Sequence, residues 1–392
     1  MTSTPSLDPR PSSLAPRFDA IVIGAGGVGS AAMFHLATRG ARVLGLDRFP
    51  PGHDRGSSHG RTRIIRQAYY EHPDYVPLLF RAYQLWEELG KRRGRPLYHE
   101  TGLLQVGPLD GAVLAGVRRS ARQHKLEVEE LAMREITERF PGFRANDDWA
   151  GLFERRAGYL DVEACVVAHI LEAINLGAEL RAGVEVHGWT AGRDAIEVAT
   201  SGGNFSTARL IVSAGPWAPQ LLRELSIPLV ARRKPQYWYP ADAVYQADHG
   251  CPTFLFDLPE GIFYGVPQID DFGLKVAEHT GGQIVADPLH VDRDLDRADQ
   301  ERVEQFLAAH LPGVLQPCLH HSVCMYTLTP DEHFIVDRHP GDPRINFAAG
   351  LSGHGFKFSC VLGQALADLA IDGRTDLPID FLSLDRPGLR SN

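Results

Sequence analysis

An almost unbroken apolar run, Phe18-Asp-Ala-Ile-Val-Ile23, opens the patterned part of the chain. A run of this kind suits a central parallel strand covered on both faces. Gly24-Ala-Gly26-Gly-Val-Gly29 follows, then Ser30 to Arg39 as a helix that Gly40 ends. A second apolar run, Ala41 to Leu46, finishes at Asp47. The order strand, glycine turn, helix, strand, acid predicts a βαβ unit. Farther on, Tyr75 to Arg92 carries Leu78, Leu79, Tyr83, Leu85 and Leu89 at helical spacing, and Val162 to Gly177 predicts another helix. Val184 to Val198 reads as strands, and Thr207 to Gly215 as an apolar strand running into a turn of small residues. Between Pro216 and Leu315 the texture changes to short aromatic strands such as Thr253–Phe256 and Gly261–Gly265. The pattern as a whole predicts an α/β chain: a Rossmann-type domain with a second, mixed β-sheet substrate domain.

Each part of the first unit has a physical task. Gly24 permits the tight turn, Gly26 lets the backbone approach a pyrophosphate, and Gly29 allows helix and strand to pack closely. The positive end of the helix dipole then faces the phosphates. Asp47 stands where a carboxylate accepts hydrogen bonds from the adenosine ribose. The neighbouring Arg48 suits a 2′-phosphate, which the acid at 47 would repel. The fingerprint establishes a dinucleotide site and leaves FAD and a nicotinamide dinucleotide both open.

Composition narrows the partners. Apolar residues make up 44% and charged residues 23% of the 392, the balance of a globular protein. The formal charge of −9, with Lys and Arg scattered, argues against a nucleic-acid partner. No run of about 20 apolar residues offers a membrane span. Met1 to Pro16, rich in Ser and Pro, reads as a disordered lead-in over residues 1–16. The five cysteines form no CxxC pair, so neither a disulfide framework nor a metal site is expected, and the cytoplasm is the default location.

Several further segments carry a resemblance. They are Gly56-Ser-Ser-His-Gly-Arg-Thr-Arg-Ile-Ile-Arg66, Tyr264–Gly265, Gly273-Leu-Lys275 with His279, and Val323-Cys-Met-Tyr-Thr327. Asp331-Glu-His-Phe-Ile-Val-Asp337 and Gly350-Leu-Ser-Gly-His-Gly-Phe-Lys-Phe358 complete the set. With Gly24–Gly29, and in this order, the chain from Phe18 to about Pro387 resembles the monomeric sarcosine oxidase and N-methyltryptophan oxidase family. The resemblance implies FAD as cofactor and oxidation of a small secondary amino acid by O2 to an imine and hydrogen peroxide. It also implies a monomer with an FAD-binding domain from segments 17–97, 157–224 and 325–392, and a substrate domain from 98–156 and 225–324.

The resemblance assigns roles residue by residue. Cys324 matches the cysteine that bonds the flavin 8α-methyl carbon. Lys275 matches a lysine held over the flavin near N5, a fixed cation for the developing superoxide. Arg63 falls close to the flavin ring. Arg66 and Lys357 bind the substrate carboxylate, a task suited to the planar fork of a guanidinium. Tyr264 and His279 line the substrate cavity. Ser58 and His59 meet the cofactor, as do Gly353, His354 and Gly355, and Val184 and Arg48 are counted with them; Lys357 serves both cofactor and substrate. Of the seventeen histidines, His59, His279 and His354 alone carry functional weight. One departure stands out: Leu255 occupies a cavity position where the family commonly has methionine, which leaves volume similar and side-chain preference open. Arg390-Ser-Asn392 is not the Ser-Lys-Leu peroxisomal address found in related pipecolate oxidases. The competing expectations are a flavin dehydrogenase that passes electrons to a carrier, and a non-catalytic FAD-binding protein.

Overall fold

The computed structural model describes residues 17–389. The lead-in expected over Met1–Pro16 and the Arg390–Asn392 tripeptide lie outside the described residues.

The chain begins as β1 (Arg17–Ile23), α1 (Gly27–Thr38) and β2 (Val43–Asp47). β1 runs parallel to β2 on one side and to Gly203–Val212 on the other, at the centre of an eight-stranded sheet. Glu179–Ala182 extends the sheet beyond β2. The far edge of Gly203–Val212 is shared by an antiparallel partner, Ile196–Thr200, and a parallel one, Asp342–Ala349. Every residue of α1 from Gly27 to Ala37 is buried. A helix apolar on all sides must be covered on all sides; here the sheet covers one face, and helices Val162–Asn175 and Ser359–Asp372 cover the rest.

The aromatic stretch builds a second eight-stranded sheet. Its order is His320–Leu328, Val230–Tyr239, Leu274–Glu278, Gly261–Val266, Thr253–Leu258, Leu103–Pro108, Trp149–Glu154, Glu129–Ala132. Side chains alternate between its faces, as the pleat requires. Leu104, Val106, Phe254 and Phe256 enter a cluster with Phe143 and Phe306 on the outer face. Leu103, Leu152, Leu255 and Tyr264 enter another, with Ile64, on the inner face. A small third sheet, Thr62–Ile65 with Gly158–Asp161 and Tyr98–Glu100, lies between the two large ones in sequence and carries Arg63. The strand His320–Leu328 runs unbroken across the boundary expected between 324 and 325, so Cys324 stands in mid-strand opposite Lys234.

Candidate active site

A cleft of about 390 Å³ opens over the C-terminal end of β1. Its walls include Gly24–Val28, Asp47, Arg48, Ser58, Arg63, Val184, Met325–Thr327, Gly353 and Gly355. Gly24 has φ +86°, a conformation that other residues enter only with strain. A Cβ on Gly29 would fall 1.7 Å from the Gly24 carbonyl oxygen, so α1 can lie this close to β1 only with glycine there. A Cβ on Gly26 would meet nothing nearer than Ser58 Oγ at 3.6 Å. The bare backbone at 26 thus faces open space. The Asp47 carboxylate accepts from the amides of Ala25 (2.7 Å) and Phe49 (2.8 Å), which ties the glycine turn to the end of β2. Arg48 pairs with Glu185, beside Val184, and the Ser58 hydroxyl accepts from Gly27 N–H at 3.1 Å.

Trp217 Nε1, Thr327 Oγ1 and Ser359 Oγ lie buried on this wall with no hydrogen-bond partner among the described residues. Polar groups shut away from water and left unpaired mark a place for a polar ligand. A dinucleotide fits the whole arrangement: a helix N-terminus, a glycine cradle, an acid at the ribose position and orphaned donors along the wall.

Charge gathers around Arg63 on the cleft wall. Arg63 Nη2 lies 3.1 Å from Cys324 Sγ, and the thiol is fully buried. Lys275 is 1% exposed, and its Nζ donates to the carbonyls of Gly60 (2.6 Å) and Thr62 (2.8 Å). Burial, reinforced by Arg63, holds its pKa well below the usual lysine range. His59 is buried beside Ser322, its Nδ1 at 3.4 Å from the hydroxyl, and burial brings its pKa down to about 3.

Beyond Arg63 on the same segment, Arg66 meets Lys357 from the far end of the chain. Arg66 Cζ lies 4.5 Å from the Tyr69 ring centroid and Lys357 Nζ 5.2 Å from the same centroid. Both are nearly inaccessible, at 4% and 5%. Arg66 Nη2 donates to both carboxylate oxygens of Glu71, while its Nε is buried and unpaired. Lys357 Nζ donates to His354 O at 2.7 Å, and burial together with the Arg66 charge pushes its pKa well down. The glycines on either side of His354 line the cleft, yet its imidazole turns away: Nδ1 meets Tyr69 Oη at 2.5 Å and Nε2 donates to Glu332 O. Its pKa falls to about 4, mainly through burial.

Leu255 and Tyr264 face each other across adjacent antiparallel strands, on the sheet face turned toward Ile64. His279, next to Tyr264, reaches Tyr326 Oη at 3.4 Å, and burial lowers its pKa to about 3. It is therefore an uncharged imidazole near neutral pH.

The sequence profile of the family described as FAD dependent oxidoreductase matches residues 19–369. This chain belongs to that family. It is 41% identical over 378 residues to the monomeric sarcosine oxidase of Streptomyces avermitilis, covering 93% of this chain and 97% of that one. It is 37% identical over 372 residues to the N-methyl-L-tryptophan oxidase of Yersinia pestis, with coverage of 94% and 99%. Among solved structures, the open form of NikD, an amino acid oxidase essential for nikkomycin biosynthesis, superposes with a TM-score of 0.83 at 25% identity. That likeness covers 94% of this chain and 98% of NikD.

In this FAD-dependent oxidoreductase, several residues that hold the site in place have no sequence signature. Glu71 neutralises Arg66. The buried Glu154 carboxylate accepts the amides of Gln67 (2.7 Å) and Ala68 (2.9 Å) and so pins the chain directly after Arg66. Glu163 does the same for the amides of Gly60 and Arg61. Arg293 donates to the carbonyls of Asp54, Arg55 and Val323, bridging the cleft loop to the Cys324 strand. All of these contacts join segments distant in sequence, except that of Glu71, and an isolated Glu near an Arg is too common to signal anything. Among the described residues no helix is long and apolar enough to cross a membrane.

Proposed function

We propose that this enzyme oxidises a small secondary amino acid, sarcosine or an N-methyl or cyclic analogue, with O2 as the electron acceptor. The observation that carries the reading is the convergence of Arg66 and Lys357 on one Tyr69 ring beside the cleft. Two buried cations fit a carboxylate, and the unpaired Nε of Arg66 offers it a donor. Desolvation in this buried pocket also disfavours a protonated substrate nitrogen. The amine is thus held in its neutral, reactive form, and the uncharged His279 presents an acceptor rather than a competing charge.

FAD, when bound, takes a hydride equivalent from the substrate C–H and passes two electrons to O2. Asp47, Gly26 and Val184 would hold its adenosine and pyrophosphate portion, and Arg63, Gly353 and Gly355, which line the same cleft, would serve its ring. Cys324 would supply the sulfur for a thioether to a ring methyl carbon, the S–H and one methyl C–H giving up two protons and leaving two electrons on the flavin. Lys275, with two of its N–H groups held by the carbonyls of Gly60 and Thr62, would keep its remaining donor for negative charge that develops on oxygen. Leu255, Tyr264 and His279 shape the wall against the substrate side chain. The relatives named monomeric sarcosine oxidase support both the substrate class and a single-chain enzyme.

An anaerobic absorbance titration of the yellow holoenzyme with sarcosine, pipecolate, N-methyl amino acids and dimethylamine tests the reading, followed by a peroxide assay in air. Bleaching by the amino acids, with peroxide formed on admitting air, is the expected result. Equal reduction by dimethylamine and sarcosine would remove the carboxylate clamp. Reduction without peroxide would make the enzyme a dehydrogenase.

A further inference from the structure

Two buried amides on the inner face of the second sheet, Gln105 and Gln236, have no hydrogen-bond partner among the described residues, and Gln105 is the one abreast of Leu255. Gln105, in the strand Leu103–Pro108, is 0% exposed, and among the described residues neither its Oε1 nor its Nε2 has a hydrogen-bond partner. Its orientation follows from the pleat. Leu104 and Val106 on either side enter the outer cluster, so Gln105 points inward. The two residues abreast of it across the ladder, Leu255 and Leu152, both belong to the inner cluster. The next strand beyond Leu255 places Tyr264 in the same row. The row Tyr264, Leu255, Gln105 therefore leads from the substrate wall outward along one sheet face.

An amide in an apolar layer is costly when unpaired, and natural cores place Leu or Val there unless function demands otherwise. Neighbours abreast on adjacent strands stand within side-chain reach of each other. The substrate side chain has to extend away from the carboxylate clamp, along the wall that Leu255 forms.

We infer that Gln105 is a specificity-determining residue whose amide hydrogen-bonds the end of the substrate side chain. The substrate is then an N-methyl amino acid larger than sarcosine, with a side chain that ends in an uncharged hydrogen-bonding group. A charged end is disfavoured because the surrounding layer is apolar. This rests on the amine-oxidase reading above, since Leu255 is taken as part of the substrate wall.

The test compares N-methyl-L-asparagine with N-methyl-L-leucine, which match in shape and differ in the terminal amide. Air-saturated peroxide assays on the wild-type holoenzyme and on Gln105→Leu give kcat/KM for both, and the thermal midpoint of each holoenzyme is measured alongside. The wild type should favour the asparagine derivative by tenfold or more, and Gln105→Leu should reduce that ratio at least tenfold. The midpoint of Gln105→Leu should equal or exceed that of the wild type, because no internal hydrogen bond is lost. A ratio left unmoved by the substitution overturns the inference, as does a wild-type preference for the leucine derivative. A lowered midpoint also overturns it, since the amide would then have a structural partner such as a trapped water. Gln105→Met, of matching length, replaces the leucine variant if that one does not accumulate. Failure of the wild type to oxidise sarcosine and both derivatives would instead count against the amine-oxidase reading, and the thermal comparison would still report on Gln105.

Discussion

Arg66 and Glu71 form a pair in which one guanidinium nitrogen serves both carboxylate oxygens, each at 2.6 Å. Burial alone would raise the Glu71 pKa, but Arg66 prevails and holds it at about 2. The pair keeps a buried cation neutralised until substrate arrives, and it places a negative charge beside the site meant for another.

Glu71→Gln should therefore tighten small carboxylate inhibitors and lower the apparent KM for carboxylate substrates. Relief of like-charge repulsion between groups that a bridging Arg66 already screens is worth about 1 kcal/mol, roughly a fivefold change. Spectral titration of the holoenzyme with a simple carboxylate checks it. Unchanged or weaker binding would mean that Glu71 does not compete with the substrate.

The same pair has a signature in acid. Glu71 titrates at about 2 when folded, below its ordinary 4.5. A depressed carboxylate contributes stability that is present above pH 4.5 and lost as pH falls through about 2. The wild type should accordingly lose thermal stability across that window more steeply than Glu71→Gln. Midpoints recorded from pH 5 down to the acid limit of solubility would show parallel curves if the pair were unimportant.

Removal of the other partner should act in the opposite sense. Arg66→Ala takes away the main cation of the clamp and leaves Glu71 buried without it. Loss of a charged partner in a desolvated site costs about 2–5 kcal/mol, which weakens sarcosine and carboxylate inhibitors together by roughly thirtyfold or more. Amines without a carboxylate should hardly respond. Kinetics that separate the two classes equally poorly in both proteins would sink the clamp.

Cys324 should keep the flavin on the polypeptide. Yellow colour is expected in the acid precipitate of the wild type and in the supernatant of Cys324→Ser. Colour that passes wholly to the wild-type supernatant would show a non-covalent cofactor, leaving the 3.1 Å contact with Arg63 as a neutral packing feature.

Lys275→Met preserves much of the stem but removes the donors that Gly60 and Thr62 hold. If the charge supplies about 3–4 kcal/mol at the oxygen step, reoxidation of the reduced flavin should slow roughly a hundred- to a thousandfold. Stopped-flow mixing with O2 reads this directly, separately from the rate of reduction by substrate.

The βαβ unit was legible along the chain because its signals are local. An apolar run, glycines at turn positions, a helix and a closing acid all fall between Phe18 and Asp47, and Gly24 and Gly29 answer backbone requirements that no other residue meets. The helices Val76–Arg93 and Val162–Asn175 lie within two residues of what their periodicity predicts, for the same reason. The charged part of the site was legible only through resemblance. Nothing in the spacing of Arg63 and Cys324, or of Arg66 and Lys357, says that they meet. The tertiary structure alone decided that His354 turns its ring to Tyr69 while its glycines face the cleft. It also decided that Glu71 and Glu154 support Arg66, and that Gln105 points inward with its amide unpaired. Such contacts depend on strand order and on which face of a sheet is covered. Those are set by burying the apolar surface of the whole chain at once, so no short stretch of sequence carries them.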